Sequence, residues 1–220
     1  PVGYTREGLV SITTPDSSIH HHFDAVKAEL MQTGVIASVA ESGAPTTSIW
    51  GSSSGFSWKG KDPNLSTDFG TARVTDEYGK TIGWHIKQGR DFSKDFSTDT
   101  SAVILNEAAL HFMGLQNPIG QTITWFDQPY TVIGVINDMV MESPYSEVRP
   151  IIYYSSNEPG NFLMIKINPN ASAKEALGKI EPVFKKFDPG QPFEYQFTDS
   201  EYAKKFGDEE RISKLANFFV

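Results

Sequence analysis

Apolar residues alternate with polar ones in some stretches of the chain and recur every three or four positions in others. The change from one period to the other marks the elements. EGLVSITTP has the look of a strand, closed by Pro15 and Asp16. In SIHHHFDAVKAELMQ, Ile19, Phe23, Val26 and Leu30 are spaced 4, 3 and 4, which draws one apolar stripe and predicts a helix. Ser17 or Ser18 is placed to cap it, and Gly34 ends it. VIASVAE follows as a strand. The first 45 residues thus form a β-α-β unit, or an antiparallel relative of one.

The pattern repeats toward the other end. FLMIKINP predicts a strand with Leu163, Ile165 and Ile167 on one face. SAKEALGKIEPVFKKFD predicts a helix lined by Ala173, Leu177, Ile180, Phe184 and Phe187, with Pro182 expected to kink or split it. PFEYQFTD adds a strand carrying Phe193, Tyr195 and Phe197. Asp199 is the expected cap of a last helix, along which Tyr202, Phe206, Ile212, Leu215 and Phe219 keep a helical period.

Between these units the character changes. SGAPTTSIWGSSSGFSWKGKDPN is rich in Gly, Ser and Thr, predicting short strands and turns and a boundary near Ala44–Thr46. FGTARVTDEY, TVIGVINDMV and RPIIYYSS predict further strands, with Gly134 a candidate bulge in the second. VILNEAALHFMGLQNPIGQTI reads as strand, short helix, turn and strand. Asn106 sits where an N-cap belongs, and Glu107 lies in the first turn, where the helix dipole favours an anion. Ala109, Phe112 and Met113 form the expected apolar face; Gly114 is the breaker, and Pro118 and Gly120 make the turn.

Composition limits the function. The 220 residues are 39% hydrophobic and 21% charged, enough for a real core. The formal net charge of −8 disfavours nucleic acid and anionic lipid as partners. With no cysteine there are no disulfides, thiolate zinc sites or Cys nucleophiles. No apolar run approaches the ~20 residues needed to cross a bilayer. No signal region is visible at the start, and RISKLANFFV reads as a helix continuing toward a membrane.

The candidate chemistry is thin. His20, His21 and His22 are consecutive, so on a helix they point in different directions and cannot share one ion. A His20–Asp24 pair offers two ligands for Zn²⁺ or Ni²⁺, short of a closed or catalytic shell, so an exposed helix face is the favoured reading. The Gly/Ser tract lacks a phosphate-cradle spacing and a nucleophile elbow. His85 and His111 read as half-buried packing residues. Asp76-Glu77 and Glu209-Glu210 read as a cap and a solvated face. Trp50, Phe56, Trp58 and Trp84 are either the core of a small β lobe, the favoured reading, or an aromatic interface for a partner or sugar.

Four passages in order resemble one family. VILNEAALHFMGLQNPIGQTI, DEYGKTIGWHIKQGRDFS (with Gly89, Arg90 and Asp91 in its GRDF), YTVIGVINDMVMESPYSEVRPIIY and PFEYQFTDSEYAKKFGDEERISKLANFF resemble the MacB-like periplasmic core domain of FtsX-like ABC transporter permeases. The resemblance implies an α+β, two-lobed fold on the periplasmic face of a bacterial inner membrane. A discontinuous porter-like lobe (1–45 and 146–200) would carry an inserted β-rich lobe (46–145), and a stalk helix (201–220) would lead to a transmembrane helix. It implies no cofactor and no catalysis. The partners implied are the permease's own transmembrane helices and the cytoplasmic ATPase, with a second protomer, adaptor or periplasmic protein beyond them.

Two functions therefore stand as expectations. One is a non-catalytic module transmitting ATP-driven motion, with hinges near Ala44–Ser48 and Met141–Val148. The other is a sensor binding a small ligand, such as a carbohydrate stacked on tryptophan, between lobes.

Overall fold

The computed structural model describes residues 3–141 and 147–216, with side chains up to residue 207. Glu209-Glu210, Ile212, Leu215, Phe219 and the middle of the second expected hinge lie outside the residues or side chains described.

Strands β1 (Leu9–Thr13) and β2 (Ile36–Ser42) flank helices α1 (Ser18–His21) and α2 (Phe23–Gln32). Strands β11 (Phe162–Ile167) and β12 (Tyr195–Phe197) flank α5 (Ala173–Phe187). The two β-α-β units interleave, in the order β12-β1-β11-β2, with every neighbour antiparallel. Each unit is therefore split by a strand of the other, the ferredoxin-like arrangement. Val10, Ile12, Val39, Leu163 and Ile165 face α1, α2 and α5, where Ile19, Val26, Leu30, Ala176, Ile180 and Phe184 complete a core.

The same sheet continues through β5 (Phe69–Val74), β10 (Ile151–Ser155), β7 (Ala102–Asn106), β9 (Gln128–Ile136), β8 (Thr122–Trp125) and β4 (Phe56–Trp58). Strands β3 (Gly51–Ser53) and β6 (Ile86–Gly89) pair with β5 and β9. Here β10 lies parallel to β5 and antiparallel to β7, between strands of the middle segment. On one face Phe56, Trp58, Val103, Leu105, Ile123 and Val132 pack under α4 (Glu107–Met113). Alternate residues of the strands point the other way. There Leu9, Ala40 and Met164 join Ile104, Ile136 and Tyr153 in a core roofed by α3 (Tyr78–Ile82). That core draws on both halves of the sheet. By contrast, ladder pairing between the halves is one residue pair, Ser42 with Val74.

Several local expectations are corrected. The first helix breaks at His22, and its start is closed by Asp16, whose Oδ1 accepts the Ser18 N–H at 2.8 Å, rather than by a serine side chain. Pro182 neither splits α5 nor ends it: the helix runs on to Phe187. Ile180 and Phe184, on either side of the proline, are both buried, and that packing keeps the helix in one piece. Ala176 takes the buried place expected of Ala173, which is exposed. On α4, Leu110 is buried, whereas Phe112 is 40% exposed and touches Phe69 edge-on. The last helix, α6, spans Thr198–Ala216, so Asp199 lies in its first turn. His85 and His111 are exposed, not half-buried: His111 lies on the face of α4 opposite its core residues, and His85 precedes an edge strand.

Candidate functional site

The first turns of α6 lie against β1 and β12. Tyr202 and Phe206, one turn apart, point to the same side, are both buried, and meet edge to face with centroids 4.6 Å apart. Arg6 lies over the Tyr202 ring, its guanidinium carbon 4.0 Å from the centroid. Tyr4, two residues earlier, is buried beneath, and burial pushes its hydroxyl up to about 12. The residues that precede β1 and the helix that follows β12 are thus clamped together by aromatic contact and a cation–π interaction.

Lys205 extends the clamp. Its ammonium donates to the carbonyl of Thr47, to Ser48 Oγ at 3.4 Å and to the carbonyl of Met141 at 3.1 Å. Thr47 lies in the segment that leaves β2 and crosses to the other half of the sheet; Met141 lies in the loop after β9, which leads to β10 within that other half. An ammonium has three donors, and here each finds an oxygen. The carbonyls are at buried residues, which makes the bonds stronger than at an open surface. One residue of the last helix therefore holds the crossover from β2 and a loop of the other half together.

Beside the crossover runs the seam between β2 and β5. Gly43 donates to Arg73 O at 2.9 Å, Thr75 N donates to Glu41 O at 3.1 Å, and Glu41 N donates to Thr75 Oγ1 at 3.0 Å. The seam is short, and a few bonds near its one ladder pair define the line about which the sheet is narrowest.

The sequence motifs sit elsewhere. Asn106 Oδ1 accepts Ala109 N at 2.9 Å, closing the start of α4, while Gly114 ends the helix in the left-handed region. Glu107 pairs with Lys87 and accepts Asp138 N at 3.2 Å; the Lys87 bond holds its carboxyl below the usual range. Gly120, just past Pro118, donates to Val132 O at 2.8 Å, which fixes the turn into β8. In GRDF, Gly89 has φ of 73° where its α-carbon approaches Ile133 O, Arg90 grips Asp99, and Asp91 accepts from Trp84. The four aromatic residues do not meet in one patch. Phe56 and Trp58 belong to the core under α4, and Trp84 to the core under α3, where its ring crosses Tyr153. Trp50 is 59% exposed and rests edge-on against Phe162.

Among the described residues no three His, Cys, Asp or Glu side chains are grouped to hold a metal ion, and no helix is long and apolar enough to cross a membrane. His20 turns to Glu41, with its Nδ1 2.9 Å from Oε2, rather than toward Asp24. Neither Lys205 nor Glu41 stood out in the sequence. Glu41 had a signal, being the one acid in the apolar run VIASVAES. Lys205 had none, because its partners are backbone carbonyls far along the chain.

Residues 5–183 match the MacB-like periplasmic core domain. The chain belongs to that family. No curated protein sequence matches it. Among solved structures the MacB-like domain is similar to the periplasmic region of MacB from Actinobacillus actinomycetemcomitans, with a TM-score of 0.64 and 18% identity over 91% of this chain and 93% of that one. It is also similar to the extracellular domain of the noncanonic ABC-type transporter YknZ from Gram-positive bacteria, with a TM-score of 0.57 and 15% identity over 86% and 98%. At such identities these likenesses speak for the fold. They agree with the α+β architecture implied by the four sequence passages.

Proposed function

We propose that this domain is the non-catalytic, extracytoplasmic arm of an ABC transporter permease, and that it carries motion from membrane helices to a periplasmic partner or substrate. The motion would originate in nucleotide binding by a cytoplasmic ATPase and enter through α6 and the residues before β1. The observation that supports this reading is Lys205: a displacement of α6 pulls on Thr47 and Met141 together, and so on the crossover from β2 and on the β9–β10 loop beyond the narrow seam. The two-lobe division, expected at residues 46 and 145, is part of the same proposal with its second boundary moved past β10 to 156–161, where the chain crosses back to β11. A second permease protomer or an adaptor would meet the arm at its far end.

The test uses the full-length permease with its ATPase in lipid nanodiscs. Spin labels at Asn117 and Asn170, both exposed, report the separation of the two halves. The distance distribution should change between the nucleotide-free and vanadate-trapped states. Lys205→Met should shrink that change while leaving ATP hydrolysis in place. An unchanged separation in the unsubstituted protein, or a full change in the variant, would overturn the reading.

A further inference from the structure

Glu41 lies at the seam end of β2, and its two carboxylate oxygens have different fates. Oε2 faces His20 Nδ1 at 2.9 Å, while Oε1 is sealed from solvent and has no hydrogen-bond partner. The side chain is only 3% exposed. A buried acceptor left without a donor costs ~1–3 kcal/mol, more if it is charged. Burial pushes this carboxyl above its ordinary range, with the His20 bond working against the rise.

The same carboxylate lines a cavity of about 480 Å³. One wall is the start of α1 and α2, with His20 and Asp24. The opposite wall is the ends of β5 and β10, with Asp76 and Ser155, and Lys94 lies at the rim. Lys94 is already engaged by Asp24 at 3.2 Å, and Ser155 donates to Asp76 Oδ1 at 3.0 Å. Three carboxylates thus face one lysine that is itself paired. The size suits a small ligand.

We propose that this cleft binds a small organic cation through a primary ammonium, with Glu41 as the buried anchor and Asp24 and Asp76 as acidic walls. An ammonium brings a charge that compensates a carboxylate taken out of water, and a turn of the Glu41 side chain toward the cleft would bring Oε1 to its donors. An anion meets an excess of negative charge. A metal ion finds only His20 beside Glu41. A sugar leaves the buried charge unbalanced and has no tryptophan to stack on, since none lines the cleft. The site stands whether or not the arm transmits force. Because Glu41 also bonds to Thr75 across the seam, an occupied cleft would brace both halves of the sheet.

The probe is putrescine, titrated into the 220-residue chain by calorimetry and by amide NMR, with sorbitol and glutarate as neutral and anionic controls. Saturable putrescine binding is expected in the millimolar range or tighter, with shifts centred on Glu41, Thr75 and Ser155. Glu41→Gln should weaken it at least ~10-fold, and Glu29→Gln, whose carboxylate pairs with Lys186 outside the cleft, should leave it unchanged. If Glu41→Gln does not fold, Asp76→Asn must weaken binding instead. No saturable binding, equal binding by the folded cleft variant, or equal binding of sorbitol or glutarate would overturn the proposal.

Discussion

Asn106 Oδ1 accepts the backbone N–H of Ile151 at 2.8 Å, across 45 residues of sequence. The same oxygen accepts Ala109 N at 2.9 Å, and Nδ2 donates to Arg149 O at 2.9 Å. A side chain that reads as a helix cap is therefore also a cross-link from β7 to the start of β10. A simple cap substitution costs ~1 kcal/mol. Asn106→Ala should cost roughly 3 kcal/mol, because buried backbone donors on two elements lose their acceptor at once. Urea denaturation measures it, and a loss of the ordinary cap size would show that the cross-link contributes nothing.

Arg90 approaches Asp99 with both terminal nitrogens, each 2.7 Å from a carboxylate oxygen, and Asp99 also accepts Ser93 N at 2.9 Å. Asp99 is almost wholly buried. Burial raises its carboxyl, but the Arg90 and Ser93 bonds outweigh this and hold it below the ordinary value. Asp99→Ala should therefore destabilise by about 3 kcal/mol, since it strands the guanidinium at a partly desolvated site. Arg90→Lys should not be neutral, because an ammonium cannot make the two-pronged contact. Thermal unfolding of both variants decides the matter; an intact melting temperature in Arg90→Lys would contradict the bidentate reading.

Asp91 accepts from Trp84 Nε1 at 2.9 Å and from Phe92 N at 2.8 Å, yet burial still pushes its carboxyl up to about 6. The folded value lies above the unfolded one of ~3.9. As pH rises, the unfolded chain releases this proton first. The stabilising contribution is thus complete below about pH 4 and is lost as pH rises through about 6. A carbon-13 titration of the Asp91 carboxyl should show a midpoint near 6. A midpoint at the unfolded value would remove the effect and with it the inference that this carboxyl is buried.

Two glycines of α3 and α5 should respond in opposite directions to alanine. A methyl at Gly79 would overlap Trp84 Nε1 and Asp91 Oδ2, which meet each other there. A methyl at Gly178 meets nothing. Gly79→Ala should destabilise by ~2–3 kcal/mol through overpacking. Gly178→Ala should stabilise by ~0.5–1 kcal/mol, by removing backbone freedom from the unfolded chain. Chemical denaturation of the pair compares them directly, and the same sign for both would be inconsistent with the packing described.

The stripe from Ile19 to Leu30, the alternation in FLMIKI and the cap at Asn106 were legible because each is set by residues within a turn or two. The expectation that Pro182 could split its helix failed for the same reason: the local rule is sound, but burial on both sides of the proline keeps the helix in one piece. The aromatic residues read as core, but not as which core. Trp58 and Trp84 look alike in sequence, and only the place in the fold of β4 and of the turn after α3 decides which core takes each. Short elements such as α3 and β6 carried too few residues for a period to show.

Local pattern alone determined that this chain is α+β, with two β-α-β units around a β-rich middle, because side-chain period depends only on near neighbours. Tertiary structure alone decided that the units interleave, that Lys205 reaches the carbonyls of both Thr47 and Met141, and that Glu41 is buried with an oxygen unsatisfied. Those depend on which distant backbones come to lie side by side. A hydrogen bond to a carbonyl leaves no mark on the residue that supplies it, since every residue has one.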